Sequence, residues 1–289
     1  MDFKNAKELL KLCEEQHMQI SEVMRQRECD MGETTCDIID HKMRRVLEIM
    51  RNSATQPIKT PVRSMGGLIG GEAKKLDVHR ARGESICGGV LGRAIMYSMA
   101  VLEVNATMGL IVAAPTAGSS GVVPGLLLAL QEEYHISDER ILDALMTAGA
   151  IGYLAMNNAT VAGAVGGCQA EVGVASAMAA AAAVELMGGR PSQCLDAAST
   201  VLMNMLGLVC DPVAGLVEYP CQNRNAAGVA NALTAAELAL SEVPQLIPLD
   251  EMIDTMYTVG KKLPSELRET AQGGCATTPS ACALCAQCF

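Results

Sequence analysis

Cys168, Cys210 and Cys221 stand in small-residue or turn-rich settings, VGGCQAEVG, LGLVCDPVAG and EYPCQNRNA, with 41 residues between the first pair and ten between the second. Three thiolates can hold three irons of a cubane iron–sulfur cluster and leave the fourth iron without a protein ligand. An iron with an open position binds a substrate oxygen as a Lewis acid instead of carrying electrons. Gly166 and Gly167 let the backbone approach closely ahead of Cys168, and Asp211-Pro212 and Pro220 set rigid turns beside the other two. Spacing this long does not identify a cluster by itself, because buried cysteine is also a common small core residue.

A second chemical feature is Pro115-Thr116-Ala117-Gly118-Ser119-Ser120-Gly121, just ahead of an apolar helical run. Small residues there expose N–H groups and hydroxyls at the positive end of a helix dipole, a cradle for a carboxylate or phosphate. No Gly-Lys-Ser/Thr follows, so it is not a P-loop. The competing reading is a tight loop whose serines cap the helix. Asn157, Asn158, Gln169 and Glu171 lie close to Cys168 in sequence, and Arg224 and Asn225 follow Cys221. Such groups either tune a site or satisfy helix ends after glycine breaks. Lys75, in GGEAKKLD, is an acid, base or positive charge if buried, and an ordinary surface lysine otherwise.

The chain resembles the α subunit of the two-subunit, iron–sulfur-dependent L-serine dehydratases. The matching runs are EVNATMGLIVAAPTAGSSGVVPG, AGAVGGCQAEVGVASAMAAAAAVELMGG, NMLGLVCDPVAGLVEYPCQNRNAAGVANA and LPSELRETAQGGCATTP. They extend from about residue 65 to about residue 280. The resemblance implies that Cys168, Cys210 and Cys221 ligate a [4Fe–4S] cluster that dehydrates L-serine to pyruvate and ammonia. Beside such a cluster the anion reading of the loop is favoured, with Thr116, Gly118, Ser119, Ser120, Asn158 and Arg224 as substrate-binding candidates and Lys75 as a catalytic one.

A serine dehydratase needs a base for the Cα proton, and histidine is the usual choice near neutral pH. His17, His41, His79 and His135 all sit in charged contexts that read as solvated helix faces. The two-subunit family carries a Ser-Ser-His motif on its β subunit, and this chain has none. A separate β chain is therefore expected to complete the site. The C-terminus departs from the family core, with Cys275, Cys282, Cys285 and Cys288 in the last fifteen residues. By analogy with single-chain relatives, Cys288 is a candidate displaceable fourth ligand, and a tail of reduced thiols is the alternative. Two rivals remain: a pyridoxal-phosphate dehydratase, for which Lys74, Lys75, Lys261 and Lys262 stand in no phosphate cup, and a non-catalytic iron–sulfur sensor or scaffold.

The elements that must position these residues read as helices almost throughout. Apolar residues recur at helical spacing over 5–16, 21–29 and 36–51. Pro57 and Pro61 then mark NSATQPIKTPVRS as the best linker. Beyond it, glycine-rich turns alternate with helices near 86–106, 122–134, 137–156, 168–187, 191–206, 223–241 and 249–262. Few runs alternate like strands. The expectation is an all-α fold, with an N-terminal helical segment over 1–56, an Ala/Gly-rich catalytic domain over 62–280 and a Cys-rich tail over 281–289.

Composition narrows the function. Half the residues are hydrophobic, yet there is no Trp, two Phe and five Tyr, so the core must be built from small aliphatic side chains at close helix–helix distances. A net charge of −10 and the lack of aromatic stacking platforms argue against nucleic acid and anionic membrane surfaces. The apolar stretch from Ala148 to Met187 is rich in Ala and Gly and interrupted by polar residues, which excludes a membrane span. Twelve cysteines behind the polar opening MDFKNAKELL fit reduced thiols in a cytoplasmic protein.

Overall fold

A core with almost no aromatic side chains requires helices that nearly touch, and the alanine-rich run after Cys168 meets that need. In the computed structural model, which describes the backbone of residues 1–288 and the side chains of residues 1–284, this run forms a helix with every residue buried from Val174 to Leu186. Among the described residues there are thirteen α-helices and no strand. They are α1 (Ala6–Gln16), α2 (Ile20–Met31), α3 (Cys36–Lys59), α4 (Glu72–Ala81), α5 (Gly88–Ala106), α6 (Val122–Tyr134), α7 (Asp138–Asn158), α8 (Gly163–Gly166), α9 (Val174–Leu186), α10 (Pro191–Asn204), α11 (Cys221–Leu240), α12 (Leu249–Lys262) and α13 (Pro279–Cys288).

Helix α9 is the axis, and α6, α7, α10 and α11 pack around it. Close approach depends on small residues at the crossings. A Cβ on Gly228 of α11 would lie 2.7 Å from Ser176 Oγ of α9, inside any tolerable contact. Local signals fix several helix ends. The Ser137 side chain accepts from the Arg140 N–H to cap α7, and Pro191 opens α10 at a position where no intrahelical N–H is needed. Phe3, Leu9, Ile20, Val23, Leu47 and Met50 share one buried cluster with the central helices, so the first three helices pack on the same core. No helix among the described residues is long and apolar enough to cross a membrane.

Three local expectations need correction. The helix expected to stop at Arg51 continues through Pro57 to Lys59 as α3. Pro57 and Ala54 are buried there, so packing outweighs the missing N–H near a helix end. Helix α4 falls in a stretch read as glycine-rich turn. Its first N–H groups are received by the buried carboxylate of Glu103 on α5, which accepts from Ala73 N at 2.9 Å. A capping partner thirty residues away leaves no local sequence signal. Finally, α9 does not start at Cys168, because a π-helical turn over Gln169–Gly173 intervenes. Such turns widen a helix locally and recur at functional sites.

Candidate active site

Cys168 lies between α8 and the π-helical turn, in a loop anchored from both sides. Gln169 carries most of that anchoring. Its backbone N–H donates to Leu208 O at 3.0 Å, and its Nε2 donates to Gly166 O at 2.8 Å and Met256 O at 2.9 Å. Its Oε1 accepts from Gly207 N at 2.8 Å. One buried amide thus ties the Cys168 loop to the turn after α10 and to α12. Gly167 has φ +76°, and a Cβ there would lie 2.8 Å from Leu208 O, so glycine is required.

Cys210 is held by backbone pairing with a remote segment. Its N–H donates to Leu267 O at 2.9 Å, and Glu269 N donates to Cys210 O at 2.7 Å. This isolated parallel bridge fixes the thiol against the LPSELRETAQGG segment. Cys221 is the first residue of α11. One turn on, the Arg224 guanidinium pairs with Asp211 at 2.7 Å and donates to Val209 O at 2.8 Å, bracing both sides of Cys210. The Asp211 carboxylate also accepts from Cys275 N at 2.6 Å.

The three thiols share one buried place. Burial pushes Cys168 up to about 11, against the pull of the neighbouring Arg224 guanidinium. Burial, then the nearby Cys168 thiol and Glu171 carboxyl, push Cys221 up to about 12. Cys210 is raised by burial first and then by Cys168, Glu171, Glu269 and Cys221. Without a metal these are protonated thiols near neutral pH, and a metal would have to displace the protons. Among the described residues no three His, Cys, Asp or Glu side chains converge tightly enough to hold a single ion. Three thiols are soft ligands, suited to a soft metal rather than to a hard cation.

Glu171 closes one side of this place. It accepts from Thr116 Oγ1 at 2.9 Å, Cys210 Sγ lies 3.8 Å from its Oε2, and burial raises its pKa. The gap between Glu171 and Cys210 is lined by Gly163, where a Cβ would sit 2.6 Å from Glu171 Oε2 and 3.0 Å from Cys210 Sγ. The Thr116 loop is fastened to α11 by Asn225, which donates to Gly118 O at 2.8 Å and to Cys221 O at 2.9 Å, and accepts from Gly121 N at 3.0 Å.

The structure therefore brings Thr116, Gly118, Cys168, Cys210, Cys221 and Arg224 into one region. The Ser119 and Ser120 hydroxyls turn into their own loop, Ser119 Oγ toward Thr116 Oγ1 at 3.0 Å and Ser120 toward Ala117 O at 2.7 Å, the capping geometry weighed from sequence. Asn158 is elsewhere: it ends α7 and donates to Lys4 O at 2.8 Å and Leu154 O at 2.9 Å. Lys75 is on the surface of α4, with its side chain 77% exposed and 3.6 Å from Glu72. The Cys288 side chain lies outside the described residues. His17 and His135 terminate helices in left-handed conformation, and His79 is 3.1 Å from Glu84 at the exposed end of α4.

Sequence reading missed two acidic residues here. Asp211 reads from the sequence only as a turn former, although an acid beside a candidate ligand is a usable signal. Glu218 is buried and accepts from Ser64 Oγ at 2.6 Å, Gly66 N at 2.7 Å and Leu68 N at 2.9 Å, which clamps the 64–68 loop to the turn before Cys221. Nothing local announces that role.

Residues 15–276 match the family model described as serine dehydratase alpha chain. The chain is 49% identical over 278 residues to a probable L-serine dehydratase, alpha chain, of Bacillus subtilis, covering 96% of this chain and 92% of that one. It is 45% identical over 271 residues to the L-serine dehydratase, alpha chain, of Peptoniphilus asaccharolyticus, covering 94% and 93%. Against an L-serine dehydratase of Helicobacter pylori it is 38% identical over 283 residues, covering 96% of this chain but 62% of that protein.

Proposed function

The chain belongs to the serine dehydratase alpha-chain family, and from that premise we propose that it is the α subunit of an iron–sulfur L-serine ammonia-lyase that converts L-serine to pyruvate and ammonia. The observation that carries the proposal is the meeting of three buried thiols from three separate segments beside Glu171 and the Thr116 loop. Cys168, Cys210 and Cys221 would hold a [4Fe–4S] cluster. Bound there, the cluster would supply a Lewis-acidic iron that makes the serine hydroxyl a better leaving group.

The chain's own residues supply position and exclusion of water. The 115–121 loop, fastened by Asn225, offers the first N–H groups of its turn to the substrate carboxylate. Thr116 Oγ1, held by Glu171, stands at the same edge. Arg224, fixed by Asp211, keeps positive charge beside Cys168 and so favours its thiolate. The Cα proton is assigned to a base on a β chain, because His17, His41, His79 and His135 are all exposed whereas the thiols are buried. The enamine product then tautomerises and hydrolyses in water.

A pyridoxal-phosphate mechanism finds no support: Lys75 is exposed, Lys74 pairs with Asp77 at 2.8 Å, and Lys261 lies over the Tyr257 ring at 3.9 Å. A non-catalytic sensor would load iron without turning over serine. Anaerobic reconstitution with iron and sulfide, followed by iron counting and pyruvate assay with and without the β chain, separates these readings. Iron uptake with no pyruvate in the presence of the β chain would leave the sensor reading in place.

A further inference from the structure

Met65, Met108 and Leu110 are 77%, 80% and 65% exposed, and the backbone holds them together. Met65 N donates to Ala106 O at 3.0 Å, laying the 64–70 loop beside the end of α5 and the loop that follows it. The patch continues toward the thiols. Gly66 packs so closely on Leu216 that any side chain there would collide, and Glu218 receives two N–H groups of the same loop. Tyr219, exposed, is next in sequence and stands two residues before Cys221. At its other end the patch passes through residues 110–114 directly into the Pro115–Gly121 loop. Exposed apolar side chains thus stand on the segments that lead directly into the candidate active site, and exposed apolar residues grouped next to a site mark an interface.

We propose that this face, centred on Met65, Met108 and Leu110, is where the β chain docks, carrying the base to the rim of the thiol site. The inference rests on the two-chain reading given above. Two observations select the occupant. The match covers 62% of the Helicobacter pylori relative, so more than a third of that protein lies outside it, and a second chain is what would supply such a share here. A base must also come within hydrogen-bond reach of the substrate Cα, and only a partner seated at the rim can deliver it. Methionines suit the surface, since their flexible thioethers adapt to an irregular partner.

The test places a photo-crosslinking benzoylphenylalanine at position 65, 108 or 86 of the full chain, co-expressed with its β chain. Ile86 is the control: it is 98% exposed but precedes α5, whereas Met108 follows it, and nineteen helical residues separate the two ends by roughly 28 Å. Positions 65 and 108 should crosslink to the β chain about tenfold more than position 86. Met108→Asp and Leu110→Asp should weaken β-chain binding about tenfold with iron uptake and helical circular dichroism unchanged. If the complex forms but position 86 crosslinks as well or better, or both Asp variants bind normally, this face is wrong and the two-chain reading survives. Crosslinks to a second copy of this chain would overturn the assignment in favour of self-association. If no complex forms and the chain alone turns over serine, the two-chain reading fails, and the docking proposal with it.

Discussion

Asn225 donates its side-chain amide to the Gly118 carbonyl at 2.8 Å, joining the helix that begins at Cys221 to the loop that precedes α6 across 107 residues of sequence. The same amide donates to Cys221 O, and its oxygen accepts from Gly121 N at 3.0 Å. A ligand segment and the candidate substrate loop are therefore one mechanical unit. Asn225→Ala would strand the buried Gly121 N–H, costing about 1–3 kcal/mol, and leave the half-buried Gly118 carbonyl without its partner. The expected result is a urea midpoint lowered accordingly, and a larger proportional loss in kcat/KM for serine than in iron content. Equal losses in both would mean that Asn225 supports only the fold.

The thiol set makes a second prediction. Cys168→Ser, Cys210→Ser or Cys221→Ser should each abolish the brown chromophore of anaerobically reconstituted protein. Cys13→Ser and Cys194→Ser should keep it while lowering stability, because both thiols are buried in the apolar core. Burial holds Cys168 up to about 11 and Cys221 up to about 12, so loading must expel protons and should weaken as pH falls from about 8.5 to about 6.5. Iron counts across that range check the sign. Retention of the chromophore in any one of the three variants would remove that cysteine from the ligand set.

Particular residues show what the sequence could and could not reveal. Helix α7 was readable because Ser137 caps it and two acids follow, and α10 because Pro191 opens it. Gly188, at φ +89°, marked the end of α9. These are local devices. Helix α4 was not readable, since its cap is Glu103 on another helix. The grouping of Cys168 with Cys210 and Cys221 came from family resemblance rather than spacing, because Gln169 and the 267–269 backbone achieve it through contacts 38 to 87 residues away. Asn158 shows the reverse failure: near Cys168 in sequence, it is spent tying α7 to the N-terminal segment.

A third prediction concerns pH and stability. Glu185 is buried on α9, accepts from Thr147 Oγ1 at 2.6 Å, and has its pKa raised by burial above the ordinary carboxylate value. The folded state then binds a proton that the unfolded chain releases more readily. Its contribution is greatest below the unfolded pKa and is lost as pH rises through the folded one. Each tenfold difference in proton affinity between the two states is worth about 1.4 kcal/mol. Glu185→Gln, neutral throughout and still able to accept from Thr147, should gain stability relative to the parent as pH rises from about 4, then hold a constant advantage. Urea titrations at several pH values would read this, and a parent that gains on the variant with rising pH would reverse the assignment.

The last prediction tests the space between Glu171 and Cys210. Gly163 opens a four-residue helix, and its missing side chain leaves room that no other residue type could leave. In Gly163→Ala the new methyl would fall 2.6 Å from Glu171 Oε2 and 3.0 Å from Cys210 Sγ, so one of the two must move. Cys210 is fixed by two backbone hydrogen bonds to residues 267–269, whereas Glu171 turns on flexible side-chain torsions. Glu171 should therefore yield, breaking its 2.9 Å bond from Thr116 Oγ1 and loosening the candidate substrate loop. The expected signature is a raised KM for serine, about tenfold for the loss of one hydrogen bond worth about 1.4 kcal/mol. Iron content and helical circular dichroism should stay near the parent values. If iron is lost instead while KM in the residual loaded fraction is unchanged, Cys210 is the group that moved, and Glu171 does not hold the substrate loop.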